Sequence, residues 1–332
     1  MRLALVSGNV PSERWKLASQ MGVTDLVTGL GTAESMEAPW DYEPLRKLKE
    51  TVEREGFCHS VIEASPPMYN IKLGRDGRDE EIEYFCAMLT NMGKLGIPVV
   101  CYNFMAVIGW YRTQRAVPDR GGALVSGFNL KDLEGEPLTE AGVVKEDRLW
   151  ENYGYFLERV VPFAEKANVY LALHPDDPPL SPIRGISRLF RNIENFQRAI
   201  DLVPSEYNGI TFCQGNFAAM GINIPDAIRY FGKQNQIHFA HFRDIRGTAD
   251  NFVETFHDDG QTDMFAAIQA YNEVGFDGSC RPDHVPTMEG DSNDHMGYTM
   301  RGRLFAIGYM KGLLEAAEKT AQEQVSGQSG SQ

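Results

Sequence analysis

The chain has 332 residues, of which 42% are hydrophobic and 23% are charged, an ordinary globular composition. A formal net charge of −14 disfavours nucleic acid and anionic membranes as partners, although a bound metal or a local arginine can still draw an anionic substrate into a cleft. The five cysteines are scattered and include no CxxC pair, which is typical of a reducing compartment. We find no signal-peptide cleavage site and no apolar run near the roughly 20 residues of a membrane span. We therefore expect a cytoplasmic protein.

Short apolar runs alternate with longer helical patterns along the chain. The predicted strands are 3–7, 25–28, 57–63, 98–102, 169–173, 210–213, 237–242 and 278–281. The predicted helices are 12–21, 42–55, 79–95, 140–167, 187–200, 224–232, 262–274 and 298–319. Eight such rounds predict an α/β fold, a (β/α)8 TIM barrel formed as one domain by residues 1–319, with an open doubly wound sheet as the alternative. The first strand is not followed by GxGxxG, which weakens a dinucleotide-binding form of that alternative.

Two segments interrupt or follow this alternation. Residues 117–139 are rich in Gly, Asp and Pro and come after the fourth strand. A long connection of this kind is a lid over the barrel mouth or a simple surface excursion. Residues 320–332, which end in SGQSGSQ, are expected to form a disordered tail.

Polar side chains stand where the last four predicted strands end. These residues are His174, Cys213, His241 and Asp283, and His284 follows directly. In a TIM barrel the carboxyl ends of the strands meet at one mouth, where the active site lies. A single buried cysteine or histidine is more often packing than a ligand, but four consecutive strand ends make coincidence much less probable. Two imidazoles, a thiolate and a carboxylate are donors for a divalent transition metal such as Mn, Fe, Co, Ni or Zn.

The segment HPDDPP restricts the backbone directly after the fifth strand. Prolines fix φ, and they push the preceding residue towards extended geometry, so they hold His174 rigidly at the strand end. Asp176 and Asp177 support this ligand or form an exposed turn.

Side-chain alternation distinguishes the two histidines of the seventh strand, IHFAHFRD. His241 shares one face with Phe239 and Arg243, whereas His238 belongs to the other face. Because His241 is nearer the strand end, it is predicted to be the ligand. His238 is predicted to face the helices as a hydrogen-bonded structural histidine.

Several segments together resemble the D-mannonate dehydratase family, which has a xylose-isomerase-like TIM barrel. They are VVCYNFM, LALHPDDPP, IHFAHFRD and RPDH followed by GYTMRGRL, and the resemblance runs from about residue 40 to residue 314. The chain departs from the family pattern at Met68, Tyr69 and Asn70 and at Val285 after RPDH, on the substrate-facing rim.

The resemblance implies dehydration of D-mannonate to 2-keto-3-deoxygluconate in hexuronate catabolism, with Mn²⁺ or Fe²⁺ as cofactor. It implies His174, Cys213, His241 and Asp283 as metal ligands and Tyr298 as a residue of the acid–base chemistry. At the level of the family, the protein is expected to be a homodimer or higher homo-oligomer.

The expected reaction is a β-elimination in which a base removes the C2 proton and an acid protonates the departing C3 hydroxyl. Tyr298, Asp283 and His284 are the candidate groups, although an aspartate bound to a metal is a poor free base. Arg243 either binds the substrate carboxylate or pairs with Asp244 or Asp283. The other substrate-binding candidates, each with a structural alternative, are Asn103, Lys72 and His257.

Three other functions are compatible with parts of this pattern. A metal-dependent sugar isomerase or epimerase would share the barrel and the metal but would not release water. A barrel endonuclease for apurinic DNA would need a basic face, which the charge of −14 argues against. A non-enzymatic metal-binding protein would keep the ligands without needing Tyr298.

Overall fold

The structure, a computed structural model, describes residues 1–30 and 38–329, with side chains described up to residue 323. The strands in chain order are β1 (Arg2–Val6), β2 (Asp25–Thr28), β3 (Cys58–Ile62), β4 (Val99–Tyr102), β5 (Gln114–Pro118), β6 (Leu124–Asn129), β7 (Tyr170–Leu173), β8 (Asn208–Cys213), β9 (Ile237–Phe242), β10 (Ile245–Thr248), β11 (Asn251–Glu254) and β12 (Ser279–Pro282). The helices are α1 (Glu13–Gln20), α2 (Tyr42–Arg54), α3 (Tyr69–Leu73), α4 (Arg78–Leu95), α5 (Glu146–Ala167), α6 (Ile193–Leu202), α7 (Gln214–Ala219), α8 (Ile224–Gly232), α9 (Met264–Glu273) and α10 (Met300–Ser329).

Eight strands close into a parallel barrel in the order β1-β12-β9-β8-β7-β4-β3-β2. The ring closes at β1, where Arg2 lies opposite Ser279 of β12 and Ala4 lies opposite Asp25 of β2. The closed barrel confirms the predicted fold and excludes the open doubly wound sheet. Its strands are the eight predicted runs, with ends shifted by at most two residues.

Both faces of the barrel strands are covered, which explains why their sequences are apolar almost without interruption. Small and β-branched side chains fill most of the interior, which holds Ala4, Val27, Val61, Val99, Cys101, Ala172 and Phe239. The outward-facing side chains pack against the helices in a much larger apolar core. Because the barrel interior is packed in this way, open space along the barrel axis lies at its two ends.

Two helices begin later than the sequence pattern predicted. α5 starts at Glu146 rather than residue 140, and α6 starts at Ile193 rather than residue 187. The segments before them pair with each other, since the N–H of Val144 donates to Gly185 and the N–H of Ser187 donates to Val144. Their backbone hydrogen bonds are therefore made across the chain and not within a helix.

A β-bulge at His238 breaks the side-chain alternation assumed for β9. Ile210 and Thr211 of β8 are adjacent, but they pair with Ile237 and Phe239, so His238 is an extra residue. Its ring stacks on Tyr170 and borders a cavity of about 410 Å³ at the amino end of the barrel. The expectation that His238 would face the helices as a hydrogen-bonded residue is wrong, because its Nε2 is buried and has no partner among the described residues.

The segment predicted as a lid contributes to a second sheet. β5 and β6 follow barrel strand β4, β10 and β11 follow barrel strand β9, and the four form an antiparallel sheet in the order β10-β11-β6-β5. Both insertions leave the carboxyl end of the barrel, so this inserted sheet lies beside the mouth. Residues 117–139 thus contain the end of β5 and all of β6, which pairs with β11 through Phe128 and Phe252.

The C-terminal helix is longer than predicted. α10 continues to Ser329, whereas residues 320–332 were expected to be disordered; residues 330–332 lie outside the described part of the chain. Its extension through TAQEQV is rich in good helix formers. Among the described residues, no helix has the length and apolar character needed to cross a bilayer.

Candidate metal and acid–base site

The carboxyl ends of the barrel strands surround a cavity of about 210 Å³. Asn103 follows β4, His174 follows β7, and Asp283 and His284 follow β12, and all four line this cavity. Tyr298 reaches it from the segment before α10. Residues spread over much of the chain therefore meet because parallel strands present their carboxyl ends at one mouth.

Three of the predicted metal ligands form a compact cluster at this mouth. One donor atom from each of His174, Cys213 and His241 lies within 4.8 Å of the others. Asp283 adjoins them, since its Oδ2 is 3.5 Å from the Cys213 Sγ and 3.8 Å from the His241 Nδ1. The structure thus brings together all four residues that the sequence proposed.

The two imidazoles of this cluster are held in different ways. The Nδ1 of His174 is 2.7 Å from the carbonyl oxygen of Pro175, which can only accept, so Nδ1 donates and Nε2 keeps its lone pair. The Nδ1 of His241 lies 3.5 Å from the Arg281 guanidinium, and its buried Nε2 lies 3.4 Å from Glu63 Oε1 but has no hydrogen-bond partner in the described part of the chain. A divalent transition metal fits this set of imidazole, thiol and carboxylate groups.

Burial sets the protonation states of the cluster. It lowers the pKa of His174 and, more strongly, that of His241, so both imidazoles are neutral. Burial raises the pKa of the Cys213 thiol well above its usual range. Burial would also raise the pKa of Asp283, but His284 and Arg281 hold it well below its ordinary value. Neutral imidazoles and an ionised carboxylate are ligand-ready, and a bound cation would favour the thiolate form of Cys213.

A second group of possible donors consists of Glu63, Cys101 and His241. The Glu63 carboxylate already accepts two hydrogen bonds from the Arg281 guanidinium, at 2.5 and 2.7 Å. Arg281 also donates to Asp283 at 2.9 Å. This arginine therefore bridges the two carboxylates that border the cavity, a role that the sequence analysis did not assign to it.

The aspartates of HPDDPP do not contact the His174 ring. Asp176 is buried and accepts a hydrogen bond from the backbone N–H of Phe190 at 2.7 Å. Asp177 is also buried and pairs with Arg112 and Arg243. The alternative of an exposed turn is wrong for both, because each is at most 2% exposed.

A hydrogen-bonded chain runs from the cavity to a buried carboxylate. The Tyr298 hydroxyl lies 3.2 Å from His284 Nε2, and His284 Nδ1 lies 3.0 Å from Glu254 Oε1. The Trp110 ring covers the His284 ring at a centroid distance of 4.8 Å. Glu254 was missed from sequence, because it lies in the polar hairpin β10–β11 and no local motif marks it.

Arg243 does not face the cavity as a substrate-carboxylate ligand would. It is fully buried, and its guanidinium donates to Glu254 at 2.8 Å and to Asp177 at 2.9 Å. Arg112 donates to the same two carboxylates from the other side. The alternative of an ion pair was the better interpretation, since Arg243 does pair with Asp283 at 3.6 Å, although its shorter contacts are with Glu254 and Asp177.

The remaining predicted substrate ligands divide into two groups. Asn103 borders the cavity, and its Oδ1 accepts a hydrogen bond from Lys72 Nζ at 3.0 Å. Burial lowers the pKa of Lys72 to about 8. His257 does not line the cavity, since it is buried and stacked on Phe242, with its Nε2 2.7 Å from the Phe242 carbonyl oxygen. This placement removes the geometric basis for a substrate contact by His257.

Comparisons with known proteins agree with this geometry. A family model described as D-mannonate dehydratase matches residues 12–142 and 127–324. The mannonate dehydratase of Thermotoga maritima is 39% identical over 315 residues, which cover 84% of this chain and 87% of that protein. The chain belongs to the D-mannonate dehydratase family. The resemblance noted from sequence is confirmed, as is the predicted class of enzyme, a mannonate dehydratase-like hydro-lyase.

Solved structures of this family and beyond share the architecture. The crystal structure of mannonate dehydratase from Streptococcus suis serotype 2 has a TM-score of 0.90 at 34% identity and covers 97% of this chain and 95% of that chain. A xylose isomerase domain protein from Planctomyces limnophilus has a TM-score of 0.58 at 11% identity over 96% of this chain and 98% of its own. The second likeness concerns the fold alone, and it confirms the xylose-isomerase-like barrel predicted for this family member.

Proposed function

We propose that the protein is a metal-dependent dehydratase that converts D-mannonate to 2-keto-3-deoxy-D-gluconate. The observation that carries this proposal is the convergence of His174, Cys213, His241 and Asp283 beside the hydrogen-bonded pair Tyr298–His284 in one cavity. Membership of the D-mannonate dehydratase family supports the choice of substrate.

His174, Cys213, His241 and Asp283 would hold the ion. A divalent cation there supplies a Lewis acid that stabilises the charge developing on a sugar-acid carboxylate and its neighbouring hydroxyl. We propose Mn²⁺ or Fe²⁺ as the ion. The thiol of Cys213 must stay reduced to serve as a ligand, and the five free cysteines support a cytoplasmic location.

Tyr298 and His284 are the groups that move protons. In the elimination, the C2–H bond breaks and its proton passes to a base, while its electron pair forms the C2–C3 double bond. The C3–O bond breaks, and the leaving hydroxyl takes a proton to become water. The resulting enol gains a proton at C3 and loses the proton of its C2 hydroxyl, which gives the 2-keto acid. Asp283 would be occupied as a ligand, which leaves the adjacent Tyr298 and His284 for these transfers.

Substrate contacts come from groups that border the cavity. Asn103 keeps its amide N–H2 group for a substrate hydroxyl, because its Oδ1 is held by Lys72. The partly exposed Trp110 ring offers an apolar surface at the mouth. We propose that these residues position the sugar acid beside Tyr298. A homodimer or higher homo-oligomer remains part of the proposal.

The test is product formation from D-mannonate by the Mn²⁺-loaded protein, before and after removal of the metal with a chelator. We expect a 2-keto-3-deoxy acid with metal and none without it. Tyr298→Phe should lower kcat by about 10²- to 10⁴-fold, since positioned acid–base groups contribute factors of that size. Tyr207→Phe is the matched control, because it removes a hydroxyl that donates to Asn168 at 2.9 Å and does not line the cavity.

A C2 epimer or a ketose in place of the 2-keto-3-deoxy acid would favour the alternative, a metal-dependent sugar isomerase or epimerase on the same barrel. Unchanged turnover by Tyr298→Phe would remove this tyrosine from the proposed chemistry while leaving the metal cluster in place.

A further inference from the structure

Glu254 stands directly behind the acid–base pair but comes from outside the barrel. It is the last residue of β11 in the inserted sheet, and it pairs with Ile245 of β10. It is 1% exposed and does not line the cavity. A carboxylate in this position cannot touch the substrate, so any effect on the reaction must pass through the groups that it contacts, which are His284, Arg243 and Arg112.

The hydrogen bond between His284 and Glu254 has only one consistent direction. Attraction to the buried guanidinium groups of Arg243 and Arg112 outweighs burial and holds the pKa of Glu254 below its ordinary value, so the carboxylate is ionised and can only accept. The Nδ1 of His284 must therefore donate to it across the 3.0 Å contact. In a neutral imidazole the Nε2 then carries a lone pair and accepts a hydrogen bond from the Tyr298 hydroxyl at 3.2 Å.

The Glu254 carboxylate is itself held in place. Arg243 donates to both of its oxygens at 2.8 Å, and Arg112 donates to Oε1 at 2.6 Å. Each arginine also pairs with Asp177. Since two guanidinium groups and two carboxylates balance in charge, the carboxylate can be fixed deep in the protein without leaving a net charge buried.

We propose that Glu254 is a positioning residue that fixes the ring orientation and the Nδ1–H tautomer of His284, so that Nε2 faces Tyr298. This inference rests on the proposed function only for its consequence on turnover. It gives the inserted sheet a part in the site, because the carboxylate is delivered by β11 and not by a barrel strand.

The tautomer can be observed without any reaction. We expect a two-bond proton–nitrogen spectrum of the Zn²⁺-loaded, nitrogen-15-labelled protein to show His284 protonated at Nδ1 and unprotonated at Nε2, with the signal assigned from its loss in His284→Asn. A signal from the Nε2–H tautomer in the wild type would overturn the proposal. This measurement needs no Glu254 variant to fold.

The effect on turnover is tested with Glu254→Gln in the Mn²⁺-loaded enzyme. We expect kcat to fall about 10- to 100-fold with KM changed less than about threefold, because groups that orient an active-site histidine have effects of this order. Glu254→Asp keeps the charge but shortens the reach, and it should recover part of the loss. Arg246→Gln is the control on the same hairpin, since Arg246 pairs with Asp119 at 2.9 Å and does not approach His284.

Several outcomes separate the two proposals. The positioning role would be overturned if the kcat of Glu254→Gln stayed within twofold of wild type. It would also be overturned if Arg246→Gln lowered kcat as much as Glu254→Gln does. Thermal unfolding of each variant shows whether a loss of turnover is caused by a loss of stability. A wild-type protein that shows the Nδ1–H tautomer but makes no 2-keto-3-deoxy acid would refute the proposed function and leave the positioning role intact.

Discussion

Two donors of the candidate metal cluster are oriented by neighbours close in the chain. The Pro175 carbonyl accepts from His174 Nδ1 at 2.7 Å, directly after the histidine. The Cys213 Sγ lies 3.4 Å from the Asn216 side-chain oxygen, three residues further on. The proline that follows His174 therefore acts as more than a rigid spacer, because its carbonyl selects the ring nitrogen that faces the cluster.

At this scale we predict that Cys213→Ser lowers the affinity for Mn²⁺ by more than about 100-fold. A hydroxyl does not ionise as a ligand in the way that a thiol does, and even groups that only orient ligands cost 10- to 100-fold in metal affinity. Isothermal titration of the metal-free proteins measures the change. Cys58→Ser is the matched control, because it replaces an exposed free thiol. Equal affinities for wild type and Cys213→Ser would show that the sulfur is not a ligand.

Among the elements, the inserted sheet is attached to the barrel by buried charges. Arg112 lies just before β5, and its side chain is completely buried between Asp177 and Glu254. Arg120, in the same insertion, makes a two-bond pair with Asp258, but it is 44% exposed. The two arginines therefore make similar contacts in very different surroundings.

We predict that Arg112→Leu lowers the free energy of unfolding by about 3–5 kcal/mol, since it leaves buried carboxylates with too few partners. Arg120→Leu should cost at most about 1 kcal/mol, because solvent screens its ion pair. Urea unfolding of the two variants provides the comparison. Similar losses in both would mean that the buried network does not anchor the sheet.

The elements also show where local patterns were too weak. The eight barrel strands were recognised because each is apolar and is separated from the next by a helical pattern. β5, β10 and β11 are partly exposed and mix polar with apolar residues, and β6 contains Ser126 and Gly127, so these segments resembled loops. The short helices α3 and α7 were likewise not predicted, since five or six residues carry almost no helical periodicity.

For the whole molecule, buried neutral imidazoles make stability depend on pH. Burial lowers the pKa of His59 and His257 to about 4 and that of His238 to about 3. In the unfolded chain these groups bind protons near pH 6.5, so below that value the unfolded state binds more protons than the folded state. The contribution of these histidines to the free energy of unfolding is therefore fully present above about pH 6.5 and is lost as the pH falls towards 3–4.

We predict that the free energy of unfolding of the metal-free protein falls by several kcal/mol between pH 6.5 and pH 4. Each tenfold difference in proton affinity between the unfolded and the folded state of one histidine contributes roughly 1.4 kcal/mol. Urea unfolding at several pH values measures this dependence. His257→Gln should have a shallower dependence than wild type, because one buried imidazole is gone. A stability that stays constant over this interval would contradict the assignment of neutral buried histidines.

The sequence by itself determined the barrel and named the candidate metal donors, because strand–helix periodicity is local and the donors stand directly at strand ends. His241 was selected over His238 by strand alternation, but only the structure showed the bulge that turns His238 towards the amino end. The tertiary structure alone decided that Arg243 is buried among carboxylates and that Glu254 lies behind His284. These contacts join Glu254 of the inserted sheet to residues that follow barrel strands, and they exist only after the barrel has closed and the second sheet has packed beside its mouth.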